Sequence, residues 1–113
     1  MTSQLELERE RVELRSELAQ AIPAMMSHVA GGTGEAYKDG ALSARVKRLM
    51  ALAIALRAGC ANCILAQTQL ALQAGATKEE VLETIAVEVS MSGTTGVAES
   101  LRVVKLLKEL GEW

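Results

Sequence analysis

The sequence has 113 residues, enough for one hydrophobic core and too few for two. Half of the residues are hydrophobic and 23% are charged, a globular balance, yet there is no Phe, one Trp and one Tyr, so the core must be aliphatic. A formal net charge of −2 offers no basic footprint for a phosphate backbone, which argues against a nucleic-acid partner.

The first residues, Met1-Thr2-Ser3-Gln4-Leu5-Glu6, have neither the basic start nor the apolar run of a secretory signal, and a cytoplasmic location is expected. Residues 4–22 place Leu7, Leu14 and Ala21 in one heptad series and Leu18 and Met25 in another. The remaining positions are mostly Glu and Arg, which predicts an amphipathic helix with a narrow apolar stripe. Such a stripe can dock on its own core or on another subunit. Pro23 starts a second short helical piece reaching Val29, where Gly31-Gly32-Thr33-Gly34 is expected to break it and a loop to follow.

Tyr37-Lys38-Asp39-Gly40 is turn chemistry, and Ser43 can cap a helix over about 44–58 that Gly59 closes. Within it, Leu49 to Leu56 is apolar on every side, which predicts a central position. The run is also far shorter than the roughly 20 residues of a membrane span, so no membrane is expected as a partner. The next helix starts at the cysteine pair and ends at Gly75. Thr77-Lys78-Glu79-Glu80 then supplies a capping box for a helix that carries Val81, Leu82, Ile85 and Val89 up to Gly93. Ser92-Gly93-Thr94-Thr95-Gly96 lacks the lysine and the preceding strand of a phosphate-binding loop and reads as an inter-helix turn. A last helix is expected from about 97 to 110. The expectation is an all-α, single-domain bundle of five or six helices without strands.

Cys60-Ala61-Asn62-Cys63 is the segment that points to chemistry. At the first turn of a helix, residues i and i+3 share a face and their sulfurs can join and part. The free N–H groups and the helix dipole there favour a thiolate, most strongly at Cys60. A zinc site needs about four ligands. There is no second pair, and the single histidine, His28, lies far away in sequence, so no metal or other cofactor is expected. A thioredoxin-like arrangement would need a strand leading into the pair, and a helix leads in instead. Two buried, inert cysteines in an alanine-rich helix remain the plain alternative.

The segments Tyr37-Lys38-Asp39-Gly40-Ala41-Leu42-Ser43, Leu49 to Leu56, the cysteine pair and Ala74-Gly75-Ala76-Thr77-Lys78-Glu79-Glu80, in this order and spacing, resemble the alkylhydroperoxidase D-like, or carboxymuconolactone decarboxylase, family. The resemblance covers about 35–108. It implies an all-helical core over 35–113 and a trimer or hexamer, and the narrow stripe of the first helix makes residues 1–34 an N-terminal helical segment expected to pack in that oligomer. It also implies a thiol-disulfide oxidoreductase with peroxidase activity, whose partners would be a small peroxide or disulfide substrate and a thiol reductant. A small aliphatic core and an apolar stripe on the first helix also favour a homo-oligomer.

The family pattern includes a Glu ahead of the first cysteine and a His after the second, forming a proton relay with the thiols. The matching positions here are Arg48 and Gln67, and Asn62 stands where some members have a histidine between the cysteines. An amide can orient a thiolate but cannot take up its proton at neutral pH. Arg48 is either a solvated residue or a fixed cation that stabilises a thiolate. Glu88 interrupts an apolar stretch beside the buried stripe of its helix, where an unpaired carboxylate is costly. It is expected to pair with Arg48, to supply the missing carboxylate near the cysteines, or simply to reach solvent. The expected catalytic set is therefore Cys60, Cys63, Gln67, Arg48 and Glu88. The competing readings are an oligomeric helical scaffold or binding module that has lost the relay, and a lactone decarboxylase-like enzyme.

Overall fold

A computed structural model describes residues 2–113, which form six helices: α1 (Gln4–Ala21), α2 (Pro23–Tyr37), α3 (Ala44–Ala58), α4 (Ala61–Gln73), α5 (Lys78–Ser92) and α6 (Thr94–Glu109), with no strand among them. The caps follow the residues that sequence chemistry marks. Ser43 Oγ accepts from Val46 N–H at α3, and at α5 Thr77 and Glu80 each accept from the other's backbone N–H in a capping box. Glu80 also pairs with Arg45, which ties the start of α5 to α3.

The core is aliphatic, as the composition demands. Leu52, Ala55 and Leu56 of α3 meet Ile64 of α4, Val81 of α5, and Val103 and Leu107 of α6, with Leu49, Leu72 and Ile85 packed around them. The apolar run in α3 is central on one face only: Met50 is 48% and Ile54 68% exposed, and Ile54 lies beside Val87 and Met91 of α5 on an open apolar surface.

Two boundaries differ from expectation. α2 runs unbroken through Gly31, Gly32 and Gly34 to Tyr37. Glycine in a helix loses backbone entropy, about 1 kcal/mol per residue, but it does not block the helix as an internal proline does. The helix stops where Lys38 turns extended, at ψ 151°, and its last residue is anchored by the Arg48 guanidinium, 3.6 Å from the centroid of the Tyr37 ring. At the α5–α6 junction the expected five-residue turn shrinks to Gly93 alone, which adopts φ 63° and ψ −135°, a conformation open essentially to glycine. α6 therefore begins at Thr94.

α1 crosses back to the far end of the chain. Ser3 Oγ donates to Glu109 Oε2 (2.5 Å) and Gln4 N–H donates to Glu109 Oε1 (2.8 Å), so the last residue of α6 clamps the start of α1. These donors, the Ser3 hydroxyl foremost, hold the Glu109 carboxyl below its usual range. Elsewhere α1 and α2 stay open: Val12, Leu14, Leu18, Ile22, Met25 and Val29 are all at least two-fifths exposed, and α2 buries none of its residues. No helix among the described residues is long and apolar enough to cross a membrane.

Candidate functional site

The cysteine pair is placed by a one-residue reversal of the chain. Gly59 adopts the left-handed conformation (φ 68°), which lets its own N–H return to Leu56 O and the Cys60 N–H return to Ala55 O, each at 3.2 Å. The chain leaves α3 and enters α4 at once, with Cys60 as the N-cap of α4. Cys60 Sγ accepts the Cys63 N–H at 3.2 Å, and the two sulfurs are joined in a disulfide with Cα atoms 5.2 Å apart. Sequence reasoning placed the pair at the first turn; the structure makes one sulfur the cap itself. Cys60 is half-buried and Cys63 is exposed.

Cys63 opens on a groove between α1 and α4. Its first lobe, of about 370 Å³, is lined by Cys63, Asn62 and Gln67 from α4 and by Leu14, Arg15 and Leu18 from α1. A second lobe, of about 650 Å³, shares Arg11, Arg15 and Gln67 with the first and extends to Arg48 on α3. Gln67 is thus the hinge between the sulfur and Arg48. The Arg48 guanidinium donates to Gln67 Oε1 at 3.2 Å. An arginine can only donate, so this bond fixes which end of the amide faces it and leaves the Gln67 Nε2 group directed elsewhere.

Of the expected set, the structure brings Cys60, Cys63, Gln67 and Arg48 to one groove and its rim. Glu88 does not join them. It is 4% exposed on α5, and neither carboxylate oxygen has a hydrogen-bond partner. The pairing with Arg48 that sequence offered as one outcome is not formed: Arg48 bonds to Gln67 and lies over the Tyr37 ring. Glu88 packs instead on α6 at Gly96, where a Cβ would lie 2.5 Å from its Oε2, so the missing side chain of Gly96 is what admits the carboxylate. His28 is exposed on α2, away from the groove lining.

The arginines of α1 were missed by sequence reasoning. Nothing in the α1 heptads separates Arg11 and Arg15 from the other charges on that helix, since only the crossing of α1 over α4 turns this side toward Cys63. Arg11 is held by Glu8 through two bonds, of 2.7 and 2.9 Å, which raise its guanidinium above the usual value. Arg15 has no salt bridge or side-chain hydrogen bond among the described residues.

Comparison with known proteins places this architecture. The model of the carboxymuconolactone decarboxylase family matches residues 20–106. The chain belongs to that family. The match takes in α2 through most of α6, and therefore both cysteines and Gln67. A carboxymuconolactone decarboxylase family protein of Legionella pneumophila, in its apo form, superposes with a TM-score of 0.89 at 26% identity, over 96% of this chain and 97% of that one. A family protein of Thermotoga maritima, whose name carries a suggested involvement in antioxidative response, gives a TM-score of 0.81 at 26% identity over 91% of each chain. Among curated sequences, an uncharacterised protein of Cupriavidus necator is 43% identical over 79 residues, 70% of each chain. Uncharacterised protein 4 of the cox locus of Paracoccus denitrificans is 34% identical over 74 residues, 66% of this chain and 67% of its own. Against the relay that membership of this family implied from sequence, the two departures are coupled: the residues at the Glu and His positions, Arg48 and Gln67, are hydrogen-bonded to each other.

Proposed function

We propose that this family member is a thiol-disulfide oxidoreductase of peroxidase type, working through the Cys60–Cys63 couple. The observation that carries the reading is the disulfide at the N-cap of α4, with one sulfur hydrogen-bonded to the helix and the other facing a groove. In the oxidising half-reaction a thiolate attacks the O–O bond of a peroxide. The sulfur becomes a sulfenic acid, and the departing oxygen takes a proton as water or alcohol. The second thiol then attacks the sulfenic sulfur, releases water and closes the disulfide. In the reducing half-reaction an external thiol opens that disulfide by exchange.

The exposures favour one order of exchange. An incoming thiolate meets Cys63 first, and Cys60 departs as a thiolate stabilised by the Cys63 N–H and the start of α4. A reducing compartment such as the cytoplasm, with a small thiol or thiol protein as electron donor, suits this cycle. The open apolar faces of α2, α3 and α5 support a homo-oligomer as the working form. The test is a count of free thiols in the reduced protein before and after mild peroxide, with Cys60→Ser and Cys63→Ser variants. Loss of both thiols in the parent, and no intramolecular disulfide in either variant, is the expected result; thiol counts that peroxide leaves unchanged sink the reading. In that event the non-catalytic scaffold is favoured, since neither Arg48 nor Gln67 can accept a proton at neutral pH.

A further inference from the structure

The groove beside Cys63 has an unusual balance of hydrogen-bonding groups. The protein carries 14 acidic residues against 12 basic ones, yet neither lobe of the groove has an Asp or a Glu in its lining, while Arg11, Arg15 and Arg48 all face it. Only Arg11 has a carboxylate partner, Glu8. Gln67 spends its oxygen on Arg48, so its contribution to an incoming molecule is its N–H₂. The lining of these two lobes thus carries cations and the Gln67 N–H₂ but no carboxylate, and Glu8 of the adjoining cavity is spent on Arg11. Leu14 and Leu18 supply an exposed apolar wall to the groove.

We infer that the groove selects a small aliphatic thiol carrying a carboxylate as the reductant of the Cys60–Cys63 disulfide, the carboxylate held by Arg15 and Arg48 and the carbon chain lying along Leu14 and Leu18. The inference rests on the exchange chemistry proposed above and adds the class of its electron donor. Charge-assisted bonds from a guanidinium are the natural hold for a carboxylate. A lining without a carboxylate or imidazole cannot deprotonate a neutral thiol, so it works on a donor that arrives as thiolate. Arg15 and Arg48, neither of which has a carboxylate partner among the described residues, draw in a doubly anionic thiolate-carboxylate from solution. The thiolate sulfur attacks Cys63 Sγ, the Cys60–Cys63 bond breaks, and Cys60 leaves as a thiolate. A second donor thiolate attacks the donor sulfur of this mixed disulfide and frees Cys63 as a thiolate. Two donor thiolates have then been oxidised to one disulfide, and their two electrons reside on the protein dithiolate, which takes protons from water.

The experiment measures how fast mercaptopropionate and its uncharged analogue mercaptoethanol reduce the oxidised protein, with each rate expressed per thiolate. Mercaptopropionate is expected to react about tenfold faster at low salt. That advantage should shrink as salt is added, because it is electrostatic, and should fall toward unity in Arg15→Gln and in Arg15→Gln/Arg48→Gln. Arg57→Gln, outside the groove, should preserve it. Arg15 makes no bond that folding depends on, so the single variant keeps the test open if the double variant fails to fold. Equal rates for the two thiols in the parent, or an advantage that survives both salt and Arg15→Gln, overturn the inference and leave the exchange chemistry standing. Failure of mercaptopropionate alone overturns the inference, and failure of both thiols to reduce the disulfide overturns the exchange chemistry with it.

Discussion

At the scale of single residues, the site is defined by what its side chains cannot do. Arg48 and Gln67, which the family resemblance sets at the places of a carboxylate and an imidazole, bond to each other, and neither can take up a proton at neutral pH. General acid–base catalysis by a positioned side chain contributes about 10²- to 10⁴-fold. The double variant Arg48→Glu/Gln67→His restores a base beside Cys63, and its rate of peroxide consumption at neutral pH is expected to exceed that of the parent by at least about tenfold. Either single variant should gain less, because each leaves half of the couple mismatched. Stopped-flow peroxide consumption checks this, and a double variant no faster than the parent would show that the couple lies outside the reaction path. Glu88 makes the converse point. Its carboxylate is buried with both oxygens unpartnered, in a pocket that Gly96 holds open, and a buried polar group without a partner costs about 1–3 kcal/mol. Glu88→Met keeps the shape and removes that cost, so a higher urea midpoint is expected with no loss of thiol reactivity. A lower midpoint would mean that a group absent from the single chain satisfies the carboxylate.

At the scale of helices, the parts that were legible in the sequence are those set by local chemistry. Ser43, Gly59 and Thr77 cap or close the helices where their side chains or their conformational freedom require, and the cysteine pair marks the start of α4. What local chemistry does not encode was misread or missed. The glycines of α2 suggested a break, but they only weaken a helix whose end is fixed by Tyr37 beneath Arg48. Arg15 looked like one charge among many until the crossing of α1 brought it to Cys63. The start of α1 is tied to the end of α6 by the Glu109 clamp, and the clamp is sensitive to pH. Ser3 and Gln4 lower the folded-state value of the Glu109 carboxyl relative to the unfolded chain. The clamp's contribution is therefore complete above the ordinary carboxylate range and disappears as the pH falls through the lowered value. Amides of the first turn of α1 should lose hydrogen-exchange protection on acidification before those of α3, and Glu109→Gln should remove much of that protection already at neutral pH. Equal protection of α1 in the parent and in Glu109→Gln would show that apolar packing alone holds the helix.

At the scale of the whole molecule, the distribution of apolar side chains argues that one chain is not the finished object. The core closes around α3 with residues that are almost wholly buried, yet Ile54, Val87 and Met91 remain 68%, 66% and 81% exposed on neighbouring helices and share one shallow pocket. Contiguous apolar surface of this kind is uncommon on a monomer and usually marks a contact. A second copy of the same chain is the proposed occupant, because a 12.0 kDa domain without phenylalanine has few other ways to enlarge its apolar burial. Light scattering on the eluting protein should give a mass that is a multiple of 12.0 kDa. Met91→Glu places a charge at the most exposed point of the patch, where the isolated chain tolerates it because the side chain is already in water, and within an interface it would be desolvated without a partner. The variant should therefore keep its helical circular dichroism and elute at a lower mass, with assembly returning in part at high protein concentration. A parent that runs as a single chain, or a variant that keeps the parent's mass, would assign this surface to something other than self-association.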